Sequence, residues 1–242
     1  VGSEMCIRDS PITPAELECM AAPLAPRGPD GEGIHIAEGL HSRYGLAHKR
    51  LAIIDLPGGG QPMSNPEGTH WIIYNGECYN YRELREQFKQ KGYTFRTASD
   101  TEVVLALYQA YGPDCVNYIR GMFAFAVWDG PSQRLFLARD RLGKKPLYYA
   151  KTQDRWVFAS ELKALLTLPD IPREPNRAVL GQYLLLGYVD PACCAFANIH
   201  SLPPAHTLTI DSSADDPRPL RYWSLPEANT YEGSYEQAVE QV

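Results

Sequence analysis

The sequence lacks a hydrophobic run of membrane-spanning length, and no signal peptide is visible in it. It also lacks an excess of basic charge, since its 242 residues carry a net charge of −6, which argues against a nucleic-acid surface. Six cysteines are present without CxxC spacing, so neither a zinc site nor a disulfide framework is indicated. These absences predict a cytoplasmic protein with free thiols that binds no nucleic acid, no membrane and no metal.

What the sequence does contain is enough apolar material for a sizeable core, with 44% hydrophobic and 21% charged residues. Fifteen tyrosines and twenty prolines favour a β-rich body with many ordered loops. Runs of strands with helices grouped between them predict an α+β fold with antiparallel sheets. Helices on either side of two strand groups suggest two sheets packed face to face.

Capping residues mark three helix starts, because their side chains can bond the free amides of a first turn. The helices are predicted from Thr13 to about Ala25, from Asn80 to about Lys91, and from Val103 to about Tyr111 behind Ser99. A further helix is predicted at Asn176–Leu185.

Apolar, β-prone runs predict strands, most of them in the second half of the chain. They are Tyr44–Asp55, the run that ends at Asn75, Met122–Trp128, Arg134–Arg139, Pro146–Tyr149, Trp156–Ala159 and Thr207–Ile210. The charged connector Arg139–Pro146 is predicted to be a solvated loop, with a role at a domain interface as the less favoured interpretation.

The stretch Asn75-Gly76-Glu77 ends the most apolar of these runs. Asn-Gly tolerates positive φ and is typical of a sharp turn, so a plain β-hairpin is the first interpretation. The second is chemical, because an asparagine amide beside a glycine N–H at a strand end can donate to a developing oxyanion.

Two other charged positions allow both a structural and a functional interpretation. Arg50 sits in an apolar run and needs a partner, which is either Asp55 or Glu77 in an internal ion pair or the carboxylate of a substrate. Asp100 starts a helix, where it can stabilise the helix dipole or face a pocket.

Residues 1–10 resemble the translation of an adapter used in sequencing-library preparation. We therefore predict that they are foreign and exclude them from the predicted fold. On this interpretation the natural gene extends upstream of Pro11.

Several further motifs together resemble one family. They are Arg27-Gly28-Pro29-Asp30, Arg50-Leu51-Ala52-Ile53-Ile54-Asp55, Gly60-Gln61-Pro62, Tyr74-Asn75-Gly76-Glu77, Ser99-Asp100-Thr101-Glu102, Arg120–Ala126, Arg139–Tyr149 and Ala159–Ala164. In this order they resemble the glutamine-hydrolysing half of glutamine-dependent asparagine synthetases, a class II glutamine amidotransferase domain of the N-terminal-nucleophile hydrolases. The resemblance implies a four-layer αββα sandwich of antiparallel sheets, with the amidotransferase domain at 11–211 and a linker and the start of a synthetase domain at 212–242.

The resemblance also implies roles for individual residues. Asn75 and Gly76 would form the oxyanion hole. The glutamine-binding residues would be Arg50, Leu51, Ile53, Ile54, Asn75, Gly76, Glu77 and Asp100, with Arg50 on the α-carboxylate and Asp100 on the α-ammonium group. The family's nucleophile is an N-terminal cysteine whose own amine acts as the base.

This chain departs from the family at its start, because the family's Met-Cys-Gly is not found there. Cys6 is not the predicted nucleophile, since five residues precede it and the charged Arg8-Asp9 follow where an apolar strand belongs. We therefore expect the polypeptide to release no glutamate from glutamine. No cofactor is expected in this part of the protein, whereas ATP and Mg are expected in a C-terminal synthetase domain, and a homodimer is compatible with the family.

Two other functions remain open on the sequence. One is the related amidotransferase of exosortase gene sets, which would amidate an acceptor other than aspartate. The other is a glutamine-binding module without catalysis.

Overall fold

The computed structural model describes residues 2–8, 12–38, 43–211, 217–226 and 233–241. The strands are β1 (Gly2–Arg8), β2 (Gly31–Glu38), β3 (Arg43–Arg50), β4 (Met63–Ser64), β5 (His70–Cys78), β6 (Gly121–Asp129), β7 (Arg134–Arg139), β8 (Tyr148–Lys151), β9 (Arg155–Ala159), β10 (His200–Ser201), β11 (His206–Asp211) and β12 (Leu220–Arg221). The helices are α1 (Pro14–Ala21), α2 (Tyr81–Gln90), α3 (Asp100–Tyr111), α4 (Leu162–Leu165), α5 (Arg177–Leu186) and α6 (Tyr235–Gln241), with 3-10 turns at Ala22–Arg27 and Gly112–Asn117.

Two six-stranded sheets organise the molecule. One has the strand order β10-β8-β9-β1-β3-β2 and the other β12-β11-β7-β6-β5-β4, and neighbouring strands in both are antiparallel. Residues of both sheets share one apolar cluster, for example Leu46 of β3, Ile73 of β5 and Phe158 of β9. This cluster lies between the sheets, so the predicted face-to-face packing is confirmed.

Helices cover the outer face of each sheet. Leu17 of α1 and Leu165 of α4 pack with Val157 of the first sheet, while Phe88 of α2 and Leu107 of α3 belong to the cluster of the second sheet. The result is the four-layer αββα sandwich. In the described part of the chain, no helix has both the length and the apolar character that crossing a bilayer requires.

Helix starts agree with the capping pattern at two of the three positions. The Thr13 hydroxyl accepts a hydrogen bond from the amide of Glu16, and the Ser99 hydroxyl accepts one from the amide of Thr101. Asn80 does not cap α2. Its side chain instead accepts from the amide of Arg120 and donates to the carbonyl of Tyr118, so it ties two loops together.

The second β-strand and the end of the third differ from the sequence-based expectation. Strand β2, at Gly31–Glu38, was not predicted, because its two glycines make it look like a loop. The predicted strand Tyr44–Asp55 stops at Arg50, since the chain then folds back over the Arg50 guanidinium and Asp55 takes a φ of 51°. The missing length becomes a loop beside the candidate site.

The connector at 139–146 was predicted to be a solvated loop. This prediction is wrong for its first two residues. Arg139 and Asp140 are both buried. The Asp140 carboxylate accepts four backbone amides, from Phe123, Leu142, Lys144 and Lys145. The Arg139 guanidinium donates to the carbonyls of residues 143, 145, 191 and 202 and to the hydroxyl of Ser201. Because both charges are fully hydrogen-bonded, burial is tolerated and the loop is rigid.

Residues 2–8 take part in the fold, although the sequence-based prediction left them out of it. As β1 they pair with β3 on one side and β9 on the other. Their proposed foreign origin is a separate matter and stays a prediction.

The described fold reaches past the predicted domain boundary at residue 211. Strand β12 pairs with β11, and the Tyr222 hydroxyl donates to the carbonyl of Arg139. Residues 212–216 of the predicted linker lie outside the described residues. The assignment of the rest of 212–242 to a linker and a further domain remains a prediction.

Candidate active site

Two adjoining cavities lie where β3, β5 and the start of α3 meet. The first is a narrow cleft of about 30 Å³ and the second a cavity of about 220 Å³. They share four lining residues, Leu51, Ile53, Gly76 and Glu77. Arg50, Ile54 and Asp100 complete the predicted set in the cleft, and Asn75 lines the larger cavity. The structure therefore brings all eight predicted residues to one place.

Asn75 and Gly76 belong to a continuous strand rather than to a turn. In β5, Asn75 lies opposite Ala124 of β6 and Gly76 lies opposite Phe123. The hairpin interpretation of this stretch is thus wrong, and glycine is required at position 76 for another reason. A Cβ on residue 76 would lie 2.3 Å from the carbonyl oxygen of Met122, so the close approach of β6 requires glycine.

The main-chain groups of Gly76 face away from β6. Phe123 of β6 lies opposite Gly76, and both of its main-chain groups bond to Asp140 instead. The Phe123 carbonyl accepts from the Asp140 amide at 2.8 Å, and the Phe123 amide donates to the Asp140 carboxylate. Gly76 and Phe123 therefore form a non-hydrogen-bonded pair. By the same alternation, the amides of Tyr74 and Cys78 point to the free edge of β5, where Gln61 and Asp100 accept them. The Gly76 amide lies between these two, on the cleft side.

The Asn75 side chain is fully buried, with 0% exposure, and in the described structure neither its amide nitrogen nor its oxygen has a hydrogen-bond partner. An unpaired buried amide costs roughly 1–3 kcal/mol. Native proteins pair most such groups. Asn75 is one of the residues that line the larger cavity, so a polar group bound there can supply the partner that the protein does not.

Arg50 makes neither of the ion pairs considered from the sequence. Its guanidinium donates to the carbonyl oxygens of Ile54 at 3.2 Å, Asp55 at 2.6 Å and Leu56 at 2.7 Å. A guanidinium has five N–H donors. Among the described contacts, its Nε–H group and one Nη1–H group have no partner, and Arg50 lines the cleft in which a ligand carboxylate can bind.

Two carboxylates give the cleft an acidic side. Asp100 is buried and accepts the Cys78 amide at 2.9 Å, while burial raises the pKa of its carboxyl group. Burial and the neighbouring Asp100 also raise the pKa of Glu77, against which the charge of Lys145 acts. Two carboxylates that disfavour each other's ionisation attract a cation, such as the ammonium group of an amino acid.

Sequence reasoning did not assign a role to Gln61, although it lies in the Gly-Gln-Pro motif. Its side-chain oxygen accepts the amide of Tyr74 at 2.6 Å, and its amide donates to the Tyr74 carbonyl and to the hydroxyl of Thr101. Gln61 thus pairs the free edge of β5 in place of a strand. A polar residue between glycine and proline gave no pattern from which this could be predicted.

Cys6 lies away from this site. In β1 it is opposite Gly45 of β3, whereas Gly2 is opposite Lys49, the neighbour of Arg50. Gly45 lies five positions before Arg50, and a strand rises about 3.3 Å per residue, so Cys6 lies about 16–17 Å along the sheet from Arg50. It is the start of β1, and not Cys6, that lies beside the cleft.

No group of three or more His, Cys, Asp or Glu side chains in the described ranges is placed to hold a metal ion. The candidate site combines the buried Asn75 amide and the Gly76 N–H group with the charged side chains of Arg50, Glu77 and Asp100. Two antiparallel sheets between helices, with a strand end beside such a site, define the N-terminal-nucleophile hydrolase class of fold.

Comparisons with known proteins narrow this class. The family model described as a glutamine amidotransferase domain matches residues 5–223. The chain therefore belongs to the glutamine amidotransferase domain family, in its class II form.

Among curated proteins, asparagine synthetase [glutamine-hydrolyzing] 3 of Bacillus subtilis is 40% identical over 229 residues, covering 93% of this chain and 36% of that protein. Asparagine synthetase [glutamine-hydrolyzing] 1 of the same organism is 43% identical over 190 residues, covering 78% of this chain and 29% of that protein. This chain thus spans about a third of the length of these relatives.

Among solved structures, glutamine phosphoribosylpyrophosphate amidotransferase from B. subtilis superposes with a TM-score of 0.62 at 20% identity, over 90% of this chain and 49% of that one. At this identity the likeness shows the fold alone. It confirms the αββα sandwich.

Proposed function

We propose that this chain is the glutaminase part of a glutamine-hydrolysing asparagine synthetase. In this function it releases ammonia from L-glutamine for the ATP- and Mg-dependent amidation of aspartate in a C-terminal synthetase domain. The identities of 40% and 43% to two such enzymes support this acceptor over that of the exosortase-associated relatives. The free thiols among the described cysteines, at positions 19, 78, 115, 193 and 194, support a cytoplasmic location.

The observation that carries the proposal is the unpartnered side chain of Asn75 beside the cleft-facing amide of Gly76. Attack on the side-chain amide of glutamine places a negative charge on its oxygen. Two preorganised donors in a water-poor cavity stabilise that charge more than water does. A glutamine-binding module without catalysis has no use for a buried amide that lacks a partner.

The remaining site residues bind the amino-acid end of glutamine. Arg50, held by three carbonyls, presents its free N–H groups to the α-carboxylate. Glu77 and Asp100 face the α-ammonium group, whose positive charge relieves their mutual repulsion. The nucleophile of this reaction would be an N-terminal cysteine at the start of β1, followed by release of ammonia and hydrolysis of the thioester.

Substitution of Arg50 tests the binding half of the proposal. Because hydrogen bonds to charged groups contribute about 1.5–3 kcal/mol, Arg50→Ala is expected to raise the Kd of L-glutamine for this chain by at least about tenfold. Arg50→Lys keeps the charge but loses the planar guanidinium, so its Kd for L-glutamine should lie between those of the unmodified chain and Arg50→Ala. Isothermal titration calorimetry of the purified chain measures both.

Arg173→Ala is the matched control, because Arg173 also donates to a loop carbonyl, that of Leu166, away from both cavities. Its Kd should equal that of the unmodified chain. Equal glutamine affinity in Arg50→Ala and the unmodified chain would remove Arg50 from the site.

A C-terminal partner domain is supported by the surface of α5. Leu184 and Leu185 are 84% and 83% exposed, and Tyr183, Leu186 and Tyr188 are also exposed. Of the ten residues in this helix only Val179 is buried. A contiguous exposed apolar patch of this kind is typical of an interface.

Arg139 links Tyr222 to the loop that follows α5. The Arg139 guanidinium donates to the carbonyl of Pro191, just after α5, at 3.0 Å, and the Arg139 carbonyl accepts from Tyr222 at 2.8 Å. The length of the relatives supports a further domain after this region, and the link through Arg139 makes α5 a candidate surface for it. We propose that this domain covers Leu184 and Leu185.

The test compares amide hydrogen exchange of residues 180–188 in the isolated chain and in the full-length protein. The expected result is slower exchange in the full-length protein, and a loss of that protection in Leu184→Gln/Leu185→Gln. The same substitution should leave glutamine binding by the isolated chain unchanged. Equal exchange in both proteins would argue against this surface, and a concentration-dependent dimer of the isolated chain would assign it to a second copy.

A further inference from the structure

Asp55 bonds both to Arg50 and to Ala98, which precedes the start of α3, and its backbone conformation is unusual. It has a φ of 51°, which is rare for a residue with a side chain. Its three oxygen atoms all accept hydrogen bonds. The carbonyl accepts from Arg50 at 2.6 Å and from the amide of Gly59 at 3.0 Å, while the carboxylate accepts from the amides of Gly58 at 3.1 Å and Ala98 at 2.7 Å.

We propose that Asp55 is a positioning residue, which fixes the Arg50 loop to the segment that presents Asp100. This inference rests on the proposed function, because it concerns how the two ends of a bound amino acid are held. Asp55 does not touch the ligand in this arrangement. It acts through Arg50 on one side and through Ala98 on the other.

On the Arg50 side, the loop is packed too closely for side chains at two positions. A Cβ on Gly58 would lie 2.4 Å from the Asp55 carboxylate oxygen, and a Cβ on Gly59 would lie 2.5 Å from the Arg50 guanidinium. The Gly58-Gly59 pair therefore allows the chain to close over both residues. This glycine pair therefore packs directly over the Arg50 guanidinium.

The same loop is anchored at its other end. The Asp30 carboxylate accepts the amide of Ala52 at 2.9 Å, and the Asp30 amide donates to the carbonyl of Arg50 at 2.9 Å. Residues 50–59 are therefore held at one end to the strand β2 region and at the other, through Asp55, to the start of α3.

On the Asp100 side, the segment Thr97–Ser99 is held rigidly. Arg85 of α2 donates to the carbonyls of Thr97 and Ser99, at 2.7 Å for the latter. The Glu102 carboxylate accepts the Thr97 amide at 2.8 Å. Since Ser99 caps α3 and Asp100 follows it directly, the bond from Ala98 to Asp55 reaches the acidic group of the cleft through one rigid segment.

An amino acid has its carboxylate and ammonium groups at a fixed separation, so the protein must hold Arg50 and Asp100 at a matching separation. Arg50 and Asp100 lie on different elements, the end of β3 and the start of α3. The Asp55–Ala98 bond joins the loop to the helix start directly, and the bond from the Gln61 amide to the Thr101 hydroxyl at 3.2 Å does the same two residues beyond the loop. A direct bond between them reduces the ordering that a ligand must otherwise induce.

The experiment uses Asp55→Ala, which removes both carboxylate contacts, and Asp55→Asn, which keeps one acceptor and a side chain that tolerates positive φ. In Asp55→Ala, hydrogen exchange at the amide of Ala98 should become at least about fivefold faster, and the Kd of L-glutamine should rise at least about fivefold, as loss of one hydrogen bond predicts. Asp55→Asn should show smaller changes in both.

A further readout separates positioning from general stability. Bound L-glutamine should slow exchange at Ala98 in the unmodified chain, and should slow it less in Asp55→Ala. The control is Asp190→Ala, because the Asp190 carboxylate also accepts a nearby loop amide, that of Ala192 at 2.8 Å, but lies outside both cavities. It should change neither the Kd nor the exchange at Ala98.

The outcomes distinguish this inference from the proposed function. If the unmodified chain binds no glutamine, both the proposed function and the positioning role of Asp55 (the coupling of the Arg50 loop to the Asp100 segment) are overturned. Glutamine binding by the unmodified chain, with an unchanged Kd or unchanged Ala98 exchange in Asp55→Ala, overturns the coupling alone.

Discussion

Replacement of residues 1–10 by Cys-Gly and the apolar strand of the Bacillus relative is expected to give a chain that hydrolyses glutamine. Loss of the nucleophile in a hydrolase lowers kcat by up to about 10⁶, so restoring it should raise glutamate release at least about a thousandfold. The physical reason is the position of β1, whose first described residue, Gly2, lies opposite Lys49 at the cleft end of β3. A cysteine at the start of that strand places its thiol and its amine beside Arg50 and Asn75. Glutamate formation in a coupled dehydrogenase assay measures the rate.

Two matched chains complete this experiment. The same replacement beginning with Ala-Gly should be inactive, since it has the strand but no thiol. A chain trimmed to begin at Cys6 should also be inactive, because Cys6 pairs with Gly45 and not with the residues at the cleft. Glutamate release by the trimmed chain, or by the unmodified one, would show that Cys6 is the nucleophile after all.

Local patterns in the sequence were sufficient where local chemistry decides the structure. The caps of α1 and α3 depend on one side chain and one amide each, and both predicted caps are confirmed. Helix α1 begins directly after Thr13, while α3 begins directly after Ser99, three residues before the predicted start at Val103. Strand β7, at Arg134–Arg139, has the predicted bounds, because its apolar side chains are buried in both clusters that flank the second sheet. The motifs likewise gathered the site residues around two shared cavities.

Distant contacts decided the positions where the sequence misled. Asn75-Gly76 has the composition of a turn, but β5 pairs with nine residues of β6, and this pairing holds Asn75-Gly76 in a strand. Arg139 and Asp140 look solvated, but beyond their neighbours at 142–145 they also bond to Phe123, Pro191 and Leu202, which lie 17 to 63 residues away. Such partners are far away in sequence, so no local pattern could predict them. Asp55 belongs to the same group, because its partner Ala98 lies 43 residues further on.

Gly76 is required at this site for a different reason from the one that the Asn-Gly sequence suggests. In a turn, Gly76 would be needed for positive φ, and alanine there would strain the backbone. In β5 it is needed because β6 approaches closely, so a side chain would push the two strands apart next to the oxyanion donors. The catalytic interpretation survives the loss of the turn, because the pairing pattern of the strand points the Gly76 amide to the cleft.

In the chain restored with an N-terminal cysteine, Asn75→Ala is expected to lower kcat by about 10²–10³, the usual loss when one oxyanion donor is removed. The KM for glutamine should change much less, because Arg50, Glu77 and Asp100 hold the opposite end of the substrate. Stability should fall little or rise, since the substitution removes an amide that is buried without a partner.

That combination of effects separates catalysis from structure at this position. A side chain retained for the fold would lose stability and leave kcat unchanged, whereas an oxyanion donor should lose kcat with little loss of stability. Steady-state kinetics and a thermal melt of the same sample give both values. Gln61→Ala is a suitable comparison, because Gln61 supports the same strand through Tyr74 without contacting the oxyanion, so it should lower the melting temperature more than Asn75→Ala does. An unchanged kcat in Asn75→Ala would remove this residue from the oxyanion hole and leave its buried amide without a function.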